Sequence, residues 1–280
     1  MNTILNEFSA PPVKAAIKAN WENYHYCLGQ ARNAELSIGR YLNWLMTDLP
    51  DHFMNLVIST QLPCEGTAEL ISRTLVRFRS MKIRKFSWLV HEGLQSLELN
   101  DALVANGLIF REAFATEMAI DLSVLSENPH RKPHLKIIAV EDEITLKEWI
   151  HVASRGFEID EAFEQVWQDL FVDTIFRPQY RTFLALLDGK PVGTSQLFLS
   201  AGVAGIYNVT VIPEARFQGI GSAVTLAALL SARRLGYRIG ILQASKQGYS
   251  VYRRIGFHDV GKLSVYLWDR DNLNLRERVN

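Results

Sequence analysis

Between the positions 216 and 222 the chain reads Arg216-Phe217-Gln218-Gly219-Ile220-Gly221-Ser222, two glycines ahead of a long run of small and aliphatic residues. The first amides of a helix have no partner inside it and sit at the positive end of its dipole, so a loop that feeds a helix start can cradle an anion. Gly219 and Gly221 let backbone approach a phosphate where a Cβ would block it, and Arg216 adds a cation at the rim. The loop matches neither the P-loop, which needs a Gly-Lys-Ser/Thr ending, nor the three-glycine dinucleotide fingerprint. Two readings stand open on the loop alone: a phosphate or pyrophosphate site, or a tight turn in which glycine serves close packing of helix on strand.

The elements that would position such a loop lie on both sides of it. Before it runs an apolar, β-branched stretch with Ile206, Val209 and Val211, the composition of a mostly buried strand, which Pro213 stops because proline cannot donate to a sheet ladder. After it a helix runs to Leu235, followed by Gly236 and a second apolar strand, Ile239 to Ala244. A short helix from Gln247 to Ile255 carries Tyr249 and Tyr252 ahead of Gly256-Phe257.

This order resembles the GNAT superfamily of acetyl-CoA-dependent acyltransferases. The motifs are Val211-Ile212-Pro213, then Arg216-Phe217-Gln218-Gly219-Ile220-Gly221 for the Arg/Gln-x-x-Gly-x-Gly/Ala loop, then Tyr252-Arg253-Arg254-Ile255-Gly256-Phe257 for Tyr-x-x-x-Gly-Phe. Together they are specific, although each alone is weak. The resemblance covers about the last half of the chain, and it implies an N-acyltransferase that uses acetyl-CoA as co-substrate, without a metal, on a small-molecule or peptide amine. It implies that amides from Phe217 to Ser222 hold the pyrophosphate, with Arg216, Gln218, Gly219, Ile220 and Gly221 in that loop. The backbone of Val209 and Val211, on a strand splayed by a bulge, would pair with the pantetheine arm, and an amide there would polarise the thioester carbonyl. Tyr252 is the implied acid for the departing thiolate, and Tyr249 is a weaker substitute on another helix face. Many family members carry a glutamate on or beside the central strand, where this chain has Tyr207-Asn208. Asn208 cannot take a proton, though it can orient a water or bind the acceptor. Glu158, Asp160 and Glu161 fall between two helices on the acceptor side, where helix-cap carboxylates would look the same, so no general base is named. The rival from another class is a non-catalytic acyl-CoA sensor or scaffold that keeps the fold and the loop.

Composition sets the outer bounds. The chain has 280 residues, 48% of them apolar, and 30 basic side chains balance 30 acidic ones. That length allows one large domain or two ordinary ones, and the balanced charge gives no sign of a nucleic-acid or anionic-membrane partner. Cys27 and Cys64 are isolated, which suits reduced thiols in a cytoplasmic protein. The first twenty residues make no convincing signal peptide, and no uncharged apolar stretch approaches membrane-spanning length. A homodimer is compatible with these features.

The resemblance implies, at 135–280, a GNAT-like α/β fold with a mixed, mostly antiparallel central sheet flanked by helices; a linker at 126–134 joins it to a second α/β domain at 1–125. In the first part helices are expected at Val13 to Ala34, Leu36 to Met46, Glu69 to Arg79 and Leu94 to Asn106. Strands are expected at Phe53 to Ile58, Phe86 to Val90 and within Phe110 to Leu122. Ile17, Trp21, Tyr24 and Leu28 form an aromatic-rich core stripe. Leu99 to Leu122 parallels Ser250 to Trp268, each a short helix, a glycine and a terminal strand, so the N-terminal half is either a degenerate GNAT-like copy without the cofactor loop or an unrelated unit with an accidental match. His130 and His134 lie in the polar, proline-containing linker and have no acidic or cysteine neighbour in the sequence to suggest a metal site. Beyond the linker, a strand is expected at Leu135 to Val140, helices at Thr145 to Arg155 and Asp160 to Ile175, and strands at Phe183 to Leu187 and Pro191 to Leu199 about the turn Asp188-Gly189-Lys190.

Overall fold

The β-branched runs and amphipathic stretches settle, in a computed structural model that describes residues 4–49, 52, 54–60, 66–81, 83–92, 96–126 and 132–270, into alternating helices and strands. In chain order they are α1 (Ala10–Leu28), β1 (Ala34–Ile38), β2 (Leu42–Thr47), β3 (Leu56–Thr60), α2 (Thr67–Ser80), β4 (Lys85–His91), α3 (Leu97–Ala105) and β5 (Ile109–Asp121). There follow β6 (Leu135–Ala139), α4 (Glu143–Gly156), α5 (Glu164–Val172), β7 (Tyr180–Leu187), β8 (Lys190–Ser200), β9 (Val203–Val211), α6 (Ile220–Arg234), β10 (Ile239–Ala244), α7 (Tyr249–Ile255) and β11 (His258–Asp269). The chain divides into two units. The first is the chain up to Arg32 with Thr116–Val260, and the second is Asn33–Ala115 with the chain from Gly261.

The first unit is the mixed, mostly antiparallel sheet expected for the second half of the chain. Its strand order is β5-β10-β9-β8-β7-β6, antiparallel except between β10 and β9. Helix α6 covers one face: Ser195 Oγ on β8 donates to the Val224 carbonyl of α6 (2.9 Å), and Ala228, Leu229 and Ala232 pack with Ile206, Leu242 and Met118. Helix α1 covers the other face, where Val13, Ala16 and Ile17 pack on Val203, Ile239 and Ile241. The apolar stripe of α1 is therefore core, with Ile17, Tyr24 and Leu28 buried. Gly205 on β9 belongs to this packing, because a Cβ there would collide with the Asn20 amide and the Tyr207 ring.

The second unit has the strand order β1-β2-β3-β4-β11 and a core of its own. Ile71, Leu75 and Phe78 of α2 and Leu99 and Leu103 of α3 bury with Phe86 and Trp88 of β4 and with Tyr266 and Trp268 of β11.

Several expectations differ from what the chain forms. The stretch from Leu36 to Met46 is no helix but the hairpin β1–β2, paired from Ala34↔Thr47 to Ile38↔Asn43. Its turn closes through the Gly39 N–H, which donates to the Leu42 carbonyl (3.2 Å) and to Asn43 Oδ1 (2.9 Å). A local turn and cross-strand partners override a helix-compatible spacing that had nothing to fix it. The first helix stops at Leu28, and the stretch from Asp160 to Ile175 holds a 3-10 turn at Glu161–Phe163 before the shorter α5. The linker is described only at its two ends, with His134 but not His130. Cys64 also lies outside the described residues.

The division into units is not the single cut read from the linker. Helix α1 belongs with the second half of the chain, and the chain from Gly261 belongs with the first. The helix–glycine–strand pattern explains the exchange. Helix α3 is followed by Gly107 (φ 87°) and by β5, whose residues 116–121 pair with β10; α7 is followed by Gly256 (φ 113°) and by β11, whose residues 263–269 pair with β4. Each long strand thus contributes to both units.

Candidate functional site

The parallel pairing of β9 with β10 consists of Ala204↔Gly240 and Gly205↔Ile241. Beyond those pairs β9 continues to Val211 and β10 to Ala244 without pairing to each other, which leaves a cleft between the two strands. The cause lies in β9. Its register with β8 passes from Tyr207↔Gln196 to Thr210↔Thr194, so Asn208 and Val209 together face Ser195. This is a β-bulge, with Asn208 at φ 50°, a left-handed conformation for a residue with a side chain.

The bulge is tied at Asn208 through both its carbonyl and its side chain. The Asn208 carbonyl accepts from Thr194 Oγ1 of β8 (2.7 Å). In a planar trans peptide the following N–H points the opposite way, so the Val209 N–H is turned away from Thr194 Oγ1. The Asn208 amide nitrogen donates to Tyr24 Oη of α1 (2.8 Å) and to Gln196 Oε1 of β8 (3.1 Å). The side chain read as a catalytic or acceptor-binding group therefore has its donor end occupied within the protein.

At the end of β9 a 3-10 turn, Pro213–Ala215, leads into the glycine loop. Arg216 is less a free rim cation than a brace. Its Nε donates to the Val211 carbonyl (3.2 Å), its Nη2 to the Gly156 carbonyl at the end of α4 (2.9 Å), and its Nη1 lies 3.4 Å from Glu158. Phe217 takes a left-handed φ of 61° and its ring is 99% exposed. Gln218 Oε1 accepts from Lys132 Nζ (2.6 Å), so a lysine in the segment read as linker brings its ammonium to the loop. Gly219, at φ 79°, caps α6, and the first helical turn closes with the Ala223 N–H on the Gly219 carbonyl (3.1 Å). The amides of Ile220, Gly221 and Ser222 precede that bond and have no acceptor within the helix. Ile220 sends its side chain into the core, 1% exposed. The Gly221 face is open: a Cβ there would find no atom nearer than Val211 Cγ2, at 3.8 Å.

Tyr252 on α7 shares an apolar cluster with Ala244 and Phe257, against which Val209 packs from β9. Its hydroxyl has no hydrogen-bond partner among the described residues, and burial pushes its pKa above the ordinary phenol value. Tyr249 Oη instead donates to Asp259 (2.9 Å), a bond that raises its pKa and spends its proton elsewhere. Of the acidic candidates, Glu158 is exposed beside Arg216, Asp160 caps the 3-10 turn through the Ala162 N–H (2.9 Å), and Glu161 is exposed. None is brought to the bulge by a contact.

What the sequence reading missed is the polar layer supplied by α1. Tyr24 stacks on Tyr207 with ring centroids 4.0 Å apart and planes 8° from parallel. Tyr24 Oη donates to Gln196 Oε1 (3.0 Å), and Tyr207 Oη donates to Asn20 Oδ1 (2.8 Å). Beside them His25 is buried and donates its Nδ1–H to the Trp21 carbonyl (2.9 Å); burial lowers its pKa to about 4. The signal available was Asn20 and Tyr24 on the buried face of an otherwise apolar stripe, since buried polar groups need partners. Among the described residues there is no cluster of three or more His, Cys, Asp or Glu side chains suited to a metal ion, and no helix long and apolar enough to cross a membrane.

Residues 145–257 match the model of the acetyltransferase (GNAT) family. The fold of the chain is similar to a GCN5-related N-acetyltransferase from Kribbella flavida, with a TM-score of 0.64 and 18% identity over 89% of this chain and 95% of that one. It is also similar to a tandem GNAT protein from the clavulanic acid biosynthesis pathway, with a TM-score of 0.62 and 16% identity over 94% and 89% of the two chains. A GCN5-related N-acetyltransferase from Sphaerobacter thermophilus gives 0.62 and 15% over 93% and 92%. No match to the sequence was found among curated proteins.

Proposed function

With residues 145–257 forming an acetyltransferase domain of the GNAT family, we propose that the chain transfers an acyl group, most simply acetyl, from acetyl-CoA to a primary amine of a small molecule or peptide. The observation that carries this reading is the parting of β9 from β10 beside the bulge at Asn208, with the start of α6 at the end of the same strand. The helix start suits a diphosphate and the bulge suits a carbonyl, as an acyl thioester of coenzyme A requires.

In this reading the amides from Phe217 to Ser222 hold the pyrophosphate at the positive end of the α6 dipole. Arg216 keeps that loop in place against β9 and α4, and Lys132 adds positive charge at its shoulder. The backbone of Val209 and Val211 pairs with the pantetheine arm. The Val209 N–H donates to the thioester oxygen and stabilises the negative charge that grows there as the amine attacks. The amine nitrogen bonds to the carbonyl carbon, the carbon–sulfur bond breaks, the attacking nitrogen loses a proton and the thiolate gains one. Tyr252, kept protonated by its burial, supplies the proton to sulfur. The amine arrives neutral or gives its proton to water, since none of Glu158, Asp160 and Glu161 is brought to the bulge by a contact.

The test is Tyr252→Phe. Thiol release from acetyl-CoA, with an amine that the wild type acetylates, should fall about 100-fold, within the range for loss of a general acid, while calorimetric affinity for acetyl-CoA stays unchanged. A parallel loss of binding and turnover would make Tyr252 a packing residue. Tight binding by a wild type that acetylates no amine would favour the sensor.

A further inference from the structure

Helix α1 lies outside the residues matched to the acetyltransferase family, yet it reaches the strand bulge within them. We propose that Tyr24 is a positioning residue for acyl transfer: acting through Asn208, it fixes the peptide whose Val209 N–H faces the thioester carbonyl. The proposal rests on the acyltransferase reading and adds to it a contribution from the N-terminal helix.

Asn208 holds a left-handed φ, which asparagine tolerates better than other residues with a Cβ but less freely than glycine. The Thr194 hydroxyl holds its carbonyl, but a single hydrogen bond leaves the peptide free to swing about that contact. The second restraint is the side chain, clamped between Tyr24 Oη and Gln196 Oε1. The clamp is rigid because each member is itself held. Tyr24 Oη accepts from Asn208 and donates to Gln196, and Gln196 Nε2 bonds to Thr182 Oγ1 of β7 (3.3 Å). The Tyr24 ring is stacked on Tyr207, whose hydroxyl is bonded to Asn20. Asn20 in turn donates to the Ser200 carbonyl at the end of β8 (2.9 Å), which anchors α1 to the sheet. Buried and neutral, the Tyr24 phenol keeps its proton and so its place in the chain of bonds. With both the carbonyl and the side chain of Asn208 held, the peptide that follows keeps its N–H oriented before substrate arrives, and preorganised donors are the ones that stabilise a developing oxyanion.

Tyr24→Phe keeps the stacked ring and removes only the hydroxyl, leaving Asn208 with Gln196 alone. Asn208→Gly removes the clamped side chain while glycine takes the same φ freely, so the bulge survives without its restraint. The readout is the infrared stretch of [1-13C]acetyl-CoA bound to the full chain, whose shift to lower frequency on binding reports polarisation of the thioester carbonyl. Tyr24→Phe should cut that shift to about half or less with acetyl-CoA affinity within about twofold of wild type. In the Asn208→Gly background the same substitution should change nothing further, since its route of action is gone. An unchanged shift in Tyr24→Phe, or an equal effect in both backgrounds, would overturn the proposal and leave the acyltransferase reading intact. Failure of the wild type to bind acetyl-CoA would overturn that reading as well.

Discussion

Gly221→Ala separates what the loop does for the fold from what it does for a ligand. The position lies one residue into α6, and a methyl group there meets nothing closer than Val211 Cγ2 at 3.8 Å, an ordinary van der Waals contact. The folded protein has no steric objection, and exchange of glycine for alanine in a helix reduces the entropy lost on folding. A gain of about 0.5–1 kcal/mol is expected, seen as a rise in melting temperature of about 1–4 °C. The same methyl points into the space where a pyrophosphate would meet the amides of Ile220, Gly221 and Ser222. Displacing it from one of these charge-assisted bonds costs about 1.5–3 kcal/mol, or about 10- to 150-fold in affinity. Thermal denaturation and calorimetric titration with acetyl-CoA, run on the same preparation, should move in opposite directions. Equal affinity in the variant and the wild type would refute the assignment of this loop to phosphate.

Two further perturbations probe the supports of the site. His25 is buried and neutral, with its pKa lowered from 6.5 to about 4, so the unfolded chain binds the extra proton first. Its contribution is complete above pH 6.5 and is lost as pH falls toward 4, a difference of about 3 kcal/mol. Denaturant unfolding measured across that window should show the loss, and His25→Gln should flatten it; a slope that survives the substitution would rule His25 out as its source. Arg216→Lys keeps the charge but not the fork that reaches the Val211 and Gly156 carbonyls, so acetyl-CoA affinity should fall about 5- to 30-fold in the same titration. Wild-type affinity in the lysine variant would show that the brace is dispensable.

How much of this was readable in the chain depended on whether the deciding contact was local. The glycine loop, the strand before it and the helix after it are set by neighbours in sequence, and the elements from Leu135 onward form close to their expected bounds, apart from the stretch Asp160 to Ile175. The hairpin β1–β2 was misread because its partners are cross-strand, and Leu36, Leu42 and Leu45 suit a helix or a strand equally. The placement of α1 was out of reach for the same reason on a larger scale: Asn20 finds Ser200, and Tyr24 finds Gln196 and Asn208, across 172 to 184 residues of chain. Asn208 illustrates the same limit at the candidate site. Its place beside the central strand is legible in the sequence, whereas the register shift opposite Ser195 and the bond to the Tyr24 hydroxyl depend on partners far along the chain. The exchange of β5 and β11 left no trace in composition, because a strand reads the same whichever sheet it completes.

Calorimetric titration of the purified full chain with acetyl-CoA and, separately, with CoA tests the central claim most directly. Saturable one-to-one binding of both is the result expected from a pyrophosphate cradle at the start of α6 and a strand cleft beside it. The absence of heat and of any competition between the two ligands, with a folded protein in the cell, would contradict an acyl-CoA site in this cleft.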